Sequence, residues 1–445
     1  MENLDGTIIV TALPAIAADF GVRVTDASAG ITVYVLMVAI TIPASGWISD
    51  RFGARNVFCG AVALFTVASL LCAWSQTLFE FTAARTLQGI GAALMSPVGR
   101  LVALRGAEKQ DLMRAIAVIS WPGLVAPVIA PPIGGLITEW ASWHWIFLIN
   151  VPLGIAGILV AIWAVPNETA EERTPFDWTG FGLAGLAMAC LLYGLDLLGH
   201  AQDKLLLATA VLVFGALALM LLLRHSRRRP HALVDLKLLA IPTFAVATLG
   251  GSLTRIALNG TPFLLPLMFQ LGFGFNAFDA GMLVLFYMLG NLVMKAVTTP
   301  VLQQFGFRNV LVGNGVLLAL SIFVFAALSP AVPFALTAFA LLLGGLIRSL
   351  QFTGLNTLSF ADVPTRQRPA ATMMSSAAQH LSNSLGVGVG ALTLNLARYV
   401  PGYGEDPLLP FALGFLVLAF FAVVSMPFYW RLAPDAGAEV SRRQR

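Results

Sequence analysis

The chain has 445 residues, of which 58% are apolar and 11% charged, whereas soluble domains run at about 45–50% apolar and about 25% charged. That balance excludes an ordinary water-soluble enzyme and implies a body whose surface faces lipid. The formal charge of +4 is spread over short connections rather than gathered in a basic patch, so it reads as membrane topology and not as nucleic-acid binding.

A helix needs roughly 20 apolar residues to cross about 30 Å of hydrocarbon. Runs of that kind predict about fourteen membrane helices, near 4–21, 28–49, 56–75, 79–103, 111–138, 145–165, 178–198, 204–223, 243–270, 277–302, 309–329, 332–358, 369–397 and 409–430. An even number places both termini on one side. The connections on the opposite side carry only Arg23, Lys204 and Arg398, while the remaining Lys and Arg outside the predicted helices, from Arg51 to Arg445, share the termini's side. The positive-inside rule therefore makes both termini cytoplasmic.

In chain order, the first polar group is Asp5, within Leu4-Asp5-Gly6-Thr7-Ile8, and few residues precede it. The sequence start omits half a helix on one reading; on the other, this helix enters the bilayer late. A carboxylate facing a wet cavity can alternate between protonated and ionised states as the cavity opens to each side, which exchange requires. Alternatively, Asn3 or Asp5 caps the helix start.

The second and third helices are joined by Gly46-Trp47-Ile48-Ser49-Asp50-Arg51-Phe52-Gly53-Ala54-Arg55-Asn56-Val57, and Phe305-Gly306-Phe307-Arg308-Asn309-Val310 repeats its end. Two copies of one turn between helices predict a parallel internal repeat of two related bundles. Asp50 could set its charge against the N-terminal end of another helix, such as the one opening after Pro369, while Gln304 stands near the acid's place in the second copy. The alternative is a solvated turn.

Arg85 lies inside the fourth helix, where an unpaired guanidinium costs at least about 2.5–3.5 kcal/mol. It should therefore face a partner or a wet cavity. Gln88, Gly89 and Ala92 share its face. Proton coupling with Asp5 is the expectation, and a purely structural pair the alternative. In the fifth helix Pro127, Pro131, Pro132, Gly134 and Gly135 bend the backbone and admit a neighbour closely. Glu139, close to His144, is a second candidate protonation site or a solvated interfacial Glu.

The pair of helices near 178–223 joins the halves, and Arg224-His225-Ser226-Arg227-Arg228-Arg229-Pro230 follows as a cytoplasmic linker attracted to anionic headgroups. Residues Ala232 to Leu239 form either a short interfacial helix or a plain connector. In the second half Arg255, Lys295 and Arg348 have few acids near them and are accompanied by Asn291, Gln351, Asn356, Gln379, His380 and Asn383. Ser376, His380 and Asn383 make one stripe on a helix, which suggests a wet cavity wall, with interhelical hydrogen bonding as the alternative. An excess of buried cations suits an anionic or zwitterionic substrate.

Cys59, Cys72 and Cys190 all fall in apolar helices without metal-ligand spacing. Neither a nucleotide-binding loop nor a catalytic triad nor a metal cluster is evident, so the expectation is a non-enzymatic protein without cofactor, driven by a proton gradient.

The Gly-x-x-x-Asp-Arg-x-Gly-x-Arg loop at Gly46 to Arg55 resembles the loop motif of major facilitator transporters. Leu4 to Ile8, the Arg85 segment, the Pro- and Gly-rich fifth helix and Trp143-His144-Trp145-Ile146-Phe147 resemble motifs of its fourteen-helix drug:proton antiporter family. The resemblance implies an all-α integral membrane protein of the major facilitator fold. Its parts would be a six-helix bundle over 1–165, two linker helices and a basic linker over 166–242, a second six-helix bundle over 243–431, and a cytoplasmic tail over 432–445. The implied protein is a monomer in a bacterial cytoplasmic membrane, in contact with lipid, exporting small organic molecules against protons by alternating access. Asp5, Arg85 and Glu139 would serve coupling, and Gly46, Asp50, Arg51, Gly53, Arg55 and Arg308 gating. Gln88, Arg255, Asn291, Arg348, Gln351, Gln379, His380 and Asn383 would line the substrate path. Alternatives are an exporter of organic anions such as carboxylates or metal-citrate chelates, and a non-transporting membrane sensor or assembly partner.

Overall fold

A computed structural model describes the chain except residues 106–111, 165–175, 201–203, 230–234, 365–366, 401–405 and 438–445. The described residues form helices joined by turns, without strands, as required where no water satisfies the backbone. They fall into two compact units, Met1–Gly185 with Asn276–Gly281, and Leu186–Phe275 with Met282–Arg445.

The first unit contains α1 (Glu2–Asp19), α2 (Val24–Ala27), α3 (Ala29–Phe52), α4 (Ala54–Trp74), α5 (Leu78–Arg105), α6 (Leu112–Trp140), α7 (His144–Leu148), α8 (Asn150–Ala164) and the start of α9 (Trp178–His200). The second takes up the rest of α9, then α10 (Leu205–Arg228), α11 (Pro242–Ala245), α12 (Gly251–Leu267), α13 (Ala277–Phe305) from Met282 onward, α14 (Phe307–Ala326), α15 (Phe334–Ala361), α16 (Arg368–Leu396) and α17 (Leu409–Trp430). Among the described residues nine helices are long and apolar enough to cross a membrane. α10 is the most outward-facing of them, with Leu206, Phe214 and Met220 exposed as side chains solvated by lipid would be.

Lipid supplies no hydrophobic drive between helices, so close packing must come from small residues. α5 shows this. Gly89 meets the Tyr34 carbonyl on α3, and Gly91 meets the backbone of Ala61 and Phe65 on α4. A side chain at either glycine would push apart α3, α4 and α5, three of the helices that carry the polar centre. Gly134 on α6 packs likewise on Ile8 and Thr11 of α1, and Gly135 on Ala277 and Phe278.

The internal repeat has a backbone signature. Gly53, between α3 and α4, has φ +85°, and Gly306, between α13 and α14, has φ +76°, a region that side chains rarely tolerate. Each amide donates back into the preceding helix, Gly53 to Ser49 O and Gly306 to Leu302 O, both at 3.0 Å, and each carbonyl starts the next helix through Val57 or Val310.

One predicted span departs from a continuous helix. Over 243–270, α11 passes into a π-helical turn, Val246–Gly250, before α12, and a second π turn, Met268–Gly272, follows it. Of the stretch from Ala232 to Leu239, residues 232–234 lie outside the described residues. The part after them is a 3-10 turn, Leu236–Ala240, whose start is capped by the Asp235 side chain accepting from Lys237 N at 3.0 Å.

Candidate functional site

The polar centre of the first unit is built by five helices. α1 contributes Asp5, α3 contributes Tyr34, α4 contributes Ser69 and Cys72, α5 contributes Arg85 and Gln88, and α8 contributes Asn150. All except the aromatic ring of Tyr34 are polar groups withdrawn from the surface; Asp5 is 1% exposed, Arg85 and Gln88 0%. The start of α1 has no side-chain cap, so Asp5 is not consumed in capping it, and its carboxylate is free to face inward.

Arg85 Nη1 donates to Asp5 Oδ2 at 2.6 Å and also to Gln88 Oε1, while its Nε donates to the Gly30 carbonyl at 3.2 Å. The guanidinium carbon stands 4.1 Å from the centre of the Tyr34 ring and 5.8 Å from that of Phe147, an arrangement that stabilises a desolvated cation further. Gln88 Nε2 donates to Asp5 Oδ1 at 3.0 Å and to Ser69 Oγ at 2.8 Å. Asn150 Nδ2 donates to the same two oxygens, at 3.2 and 3.3 Å. The Ser69 hydroxyl donates to Phe65 O at 2.8 Å, and Cys72 Sγ lies 3.8 Å from Gln88 Oε1.

Asp5 is thus surrounded by donors, the pattern of an ionised carboxylate. Burying two charges is costly, and their attraction repays this only when the remaining hydrogen bonds are made. Here nearly all are. In this centre the buried side-chain atoms left without a partner are Arg85 Nη2, Asn150 Oδ1 and the Tyr34 hydroxyl.

The structure thus brings Asp5, Arg85 and Gln88 together and leaves Glu139 apart, exposed on α6. Ser69, Tyr34 and Asn150 were not singled out as site residues by the sequence. Asn150 stands in the motif that opens with Trp143, and an Asn at the head of an apolar helix was the available signal. At the neighbouring end of this unit His144 bonds Ser142 Oγ at 2.7 Å and stacks on Trp143, whose Nε1 donates to Asp19 at 3.1 Å.

The loop motif is partly visible. Asp50 lies in α3, but its side chain and that of Pro369 lie outside the described residues. Gly46 is exposed, Arg55 and Arg308 half-buried. Arg51 is exposed, 5.6 Å over the Trp47 ring, which packs against Phe176 and Trp178 at the start of α9.

In the second unit Arg255 is 1% exposed. Its Nη1 donates to Ala247 O at 3.0 Å and its Nη2 to Asn356 Oδ1 at 2.9 Å, while Nε has no partner. The reach to a carbonyl eight residues back exists because the π turn frees it from the α-helical ladder. Tyr429 closes the other side of the same turn by donating to Gly250 O at 3.2 Å, and Thr254 bonds Ser425 at 2.7 Å. Arg348 Nε donates to Leu258 O at 3.1 Å, and its guanidinium lies 5.9 Å from the Tyr287 ring. Among the described residues no acid forms a salt bridge with Arg255, Arg348 or the half-buried Lys295. Gln351 accepts from Asn314 at 2.9 Å and donates to Leu311 O, and Gln379 donates to Ser375 Oγ at 3.3 Å. Asn291, whose carbonyl accepts from Ser349, is half-buried, as are His380 and Asn383 on α16. Pro127 and Pro132 are half-buried on α6, and Pro131 is buried.

A model of the Major Facilitator Superfamily matches residues 1–391. Proteins that bear the name multidrug resistance protein MdtD are similar throughout: that of Cronobacter sakazakii is 40% identical over 396 residues, covering 88% of this chain and 83% of its own, and that of Escherichia coli O157:H7 is 37% identical over 449 residues, covering 100% and 95%. Among solved structures a D-xylose-proton symporter superposes with a TM-score of 0.69 at 14% identity, covering 98% of this chain and 96% of its own, which bears on the fold alone. The helical membrane body and these likenesses make it a membrane transport protein rather than an enzyme. The chain belongs to the Major Facilitator Superfamily.

Proposed function

We propose that the protein is a proton-coupled antiporter that exports small organic compounds by alternating access between its two halves, 1–165 and 243–431. The observation that carries this reading is the buried pair of Asp5 and Arg85 at 2.6 Å. A membrane protein retains such a pair at a cost, and a carboxylate that takes up and surrenders a proton gives the cost a purpose. Asp5 carries the proton and Arg85 stabilises the ionised form. Asp50, Arg51, Arg55 and Arg308, with Gly46 and Gly53, belong to gating. The names of the relatives support export of drug-like molecules. The test uses inverted membrane vesicles with an imposed proton gradient and a panel running from cationic dyes to citrate. The wild type releases protons when its substrate is added and Asp5→Asn does not; normal exchange by Asp5→Asn removes the reading.

Organic anions are a second substrate reading, favoured by one observation: Arg255 is buried with an unpaired Nε and no acidic partner among the described residues. Arg348, Gln351 and Gln379 would then flank the anion's path. Citrate-driven proton release that Arg255→Gln abolishes would support it; dye-driven release alone would exclude it.

A further inference from the structure

We infer that Asn150 is a two-state amide that serves Asp5 in both protonation states, donating Nδ2–H to the carboxylate and accepting the new O–H at Oδ1 once Asp5 is protonated. This rests on the reading of Asp5 as the proton carrier and adds a positioning residue to it.

The argument is an account of donors and acceptors. In the recorded state every side chain bonded to Asp5 is a donor: Arg85 to Oδ2, Gln88 and Asn150 to Oδ1. Protonation reverses the need, because a carboxylic acid must place an O–H. Buried hydroxyls without an acceptor are rare. Around Asp5 the acceptors are already taken. Gln88 Oε1 receives Arg85 and Cys72. Ser69 Oγ receives Gln88 and Asn150. Gly30 O receives Arg85 Nε. Of the side chains that touch the carboxylate, Asn150 alone holds a buried oxygen without a partner. Turning its amide exchanges Nδ2 for Oδ1 opposite Asp5 Oδ1. The proton enters from water on one side of the membrane, adds to Oδ1 and is held by Asn150; it leaves to water on the other side, and the amide turns back. No other covalent bond forms or breaks, and the turned amide gives up its hydrogen bond to Ser69 Oγ.

The titratable and charged groups facing Asp5 are Arg85 from α5, Tyr34 from α3 and Cys72 from α4, with Glu2 one turn back on α1 itself. α8 brings Asn150, and on α6, beyond Gly134, Glu139 is exposed. The rival acceptor is the unpaired Tyr34 hydroxyl, which makes no hydrogen bond to Asp5.

Dicyclohexylcarbodiimide, a lipophilic reagent for protonated carboxyls, tests this without a known substrate. The purified full-length protein is labelled across a pH series and modification at Asp5 is read by mass spectrometry, with Asp5→Asn as the blank. Asn150→Leu has nearly the shape of Asn without its hydrogen bonds. It takes from the carboxylate one of three donors, with Arg85 and Gln88 remaining, but takes from the acid its sole acceptor, and stranding a buried O–H is the larger loss, so half-maximal labelling moves about one unit to lower pH, equivalent to about tenfold less labelling at a fixed pH. Asn150→Gln, which keeps the amide, lies closer to wild type. A wild-type profile in Asn150→Leu overturns the inference, as does an equal shift in Asn150→Gln, or a shift in Tyr34→Phe with none in Asn150→Leu. Asn150→Ala replaces Asn150→Leu if the latter does not fold. Labelling of wild-type Asp5 that does not vary with pH instead removes the proton-carrier reading itself.

Discussion

Tyr34 and Tyr287 hold the same station in their own units, separated along the chain by the same interval as Gly53 and Gly306. Each ring lies beneath an arginine, Arg85 at 4.1 Å and Arg348 at 5.9 Å, and each backbone carbonyl meets a glycine of the helix carrying that arginine, Gly89 or Gly345. The cations are not equivalent. Arg85 precedes its glycine by one turn and Arg348 follows its own by nearly one, so about 10 Å of helix separates the two placements. The repeat keeps its scaffold and moves its charge, and of these two arginines Arg85 alone has a carboxylate in a salt bridge among the described residues.

Removing one member of the pair strands the other. Arg85→Ala leaves Asp5 buried without its cation and costs about 3–5 kcal/mol. The double variant Asp5→Asn, Arg85→Ala recovers part of that loss. Thermal unfolding in detergent reads both, and a double variant as unstable as the single one would refute the coupling.

At Gly53 and Gly306 the positive φ makes Ala costly by about 1–3 kcal/mol at each position. Two lowered melting temperatures are expected. An unchanged melt for Gly306→Ala would mean that the second turn is free to relax.

Tyr429→Phe removes the hydroxyl that donates to Gly250 O and costs about 0.5–1.5 kcal/mol. Since the same π turn is held by Arg255, faster amide exchange should be confined to residues near 246–250. Hydrogen exchange with mass spectrometry checks the location.

Glu139→Gln is expected to leave proton-coupled exchange in vesicles unchanged, in contrast to Asp5→Asn, because Glu139 is exposed while Asp5 is sealed in the polar centre. Loss of exchange in both variants would assign the proton path to two acids.

The membrane class, the repeated turn and the pairing of Asp5 with Arg85 were legible because each depends on a local cost: an ion in an apolar helix, or a glycine where φ must be positive; Gln88 was legible only as a neighbour on the face of Arg85. Ser69 and Asn150 were not, since a Ser or Asn in a long helix also satisfies itself on its own backbone, and only the packing of α4 and α8 against α1 turns them toward Asp5. The partner of Arg255 was equally hidden. Ala247 O is accessible only because the chain adds a π turn, which hydropathy does not register.

Arg85 is anchored by the Gly30 carbonyl, Gln88 and the Tyr34 ring as well as by Asp5. When Asp5 loses its charge the guanidinium therefore keeps its other moorings, and the arginine acts as a fixed post. A neutral Asp5 would thus alter the contacts that α1 makes with this post, while α3 and α5 stay tied to it.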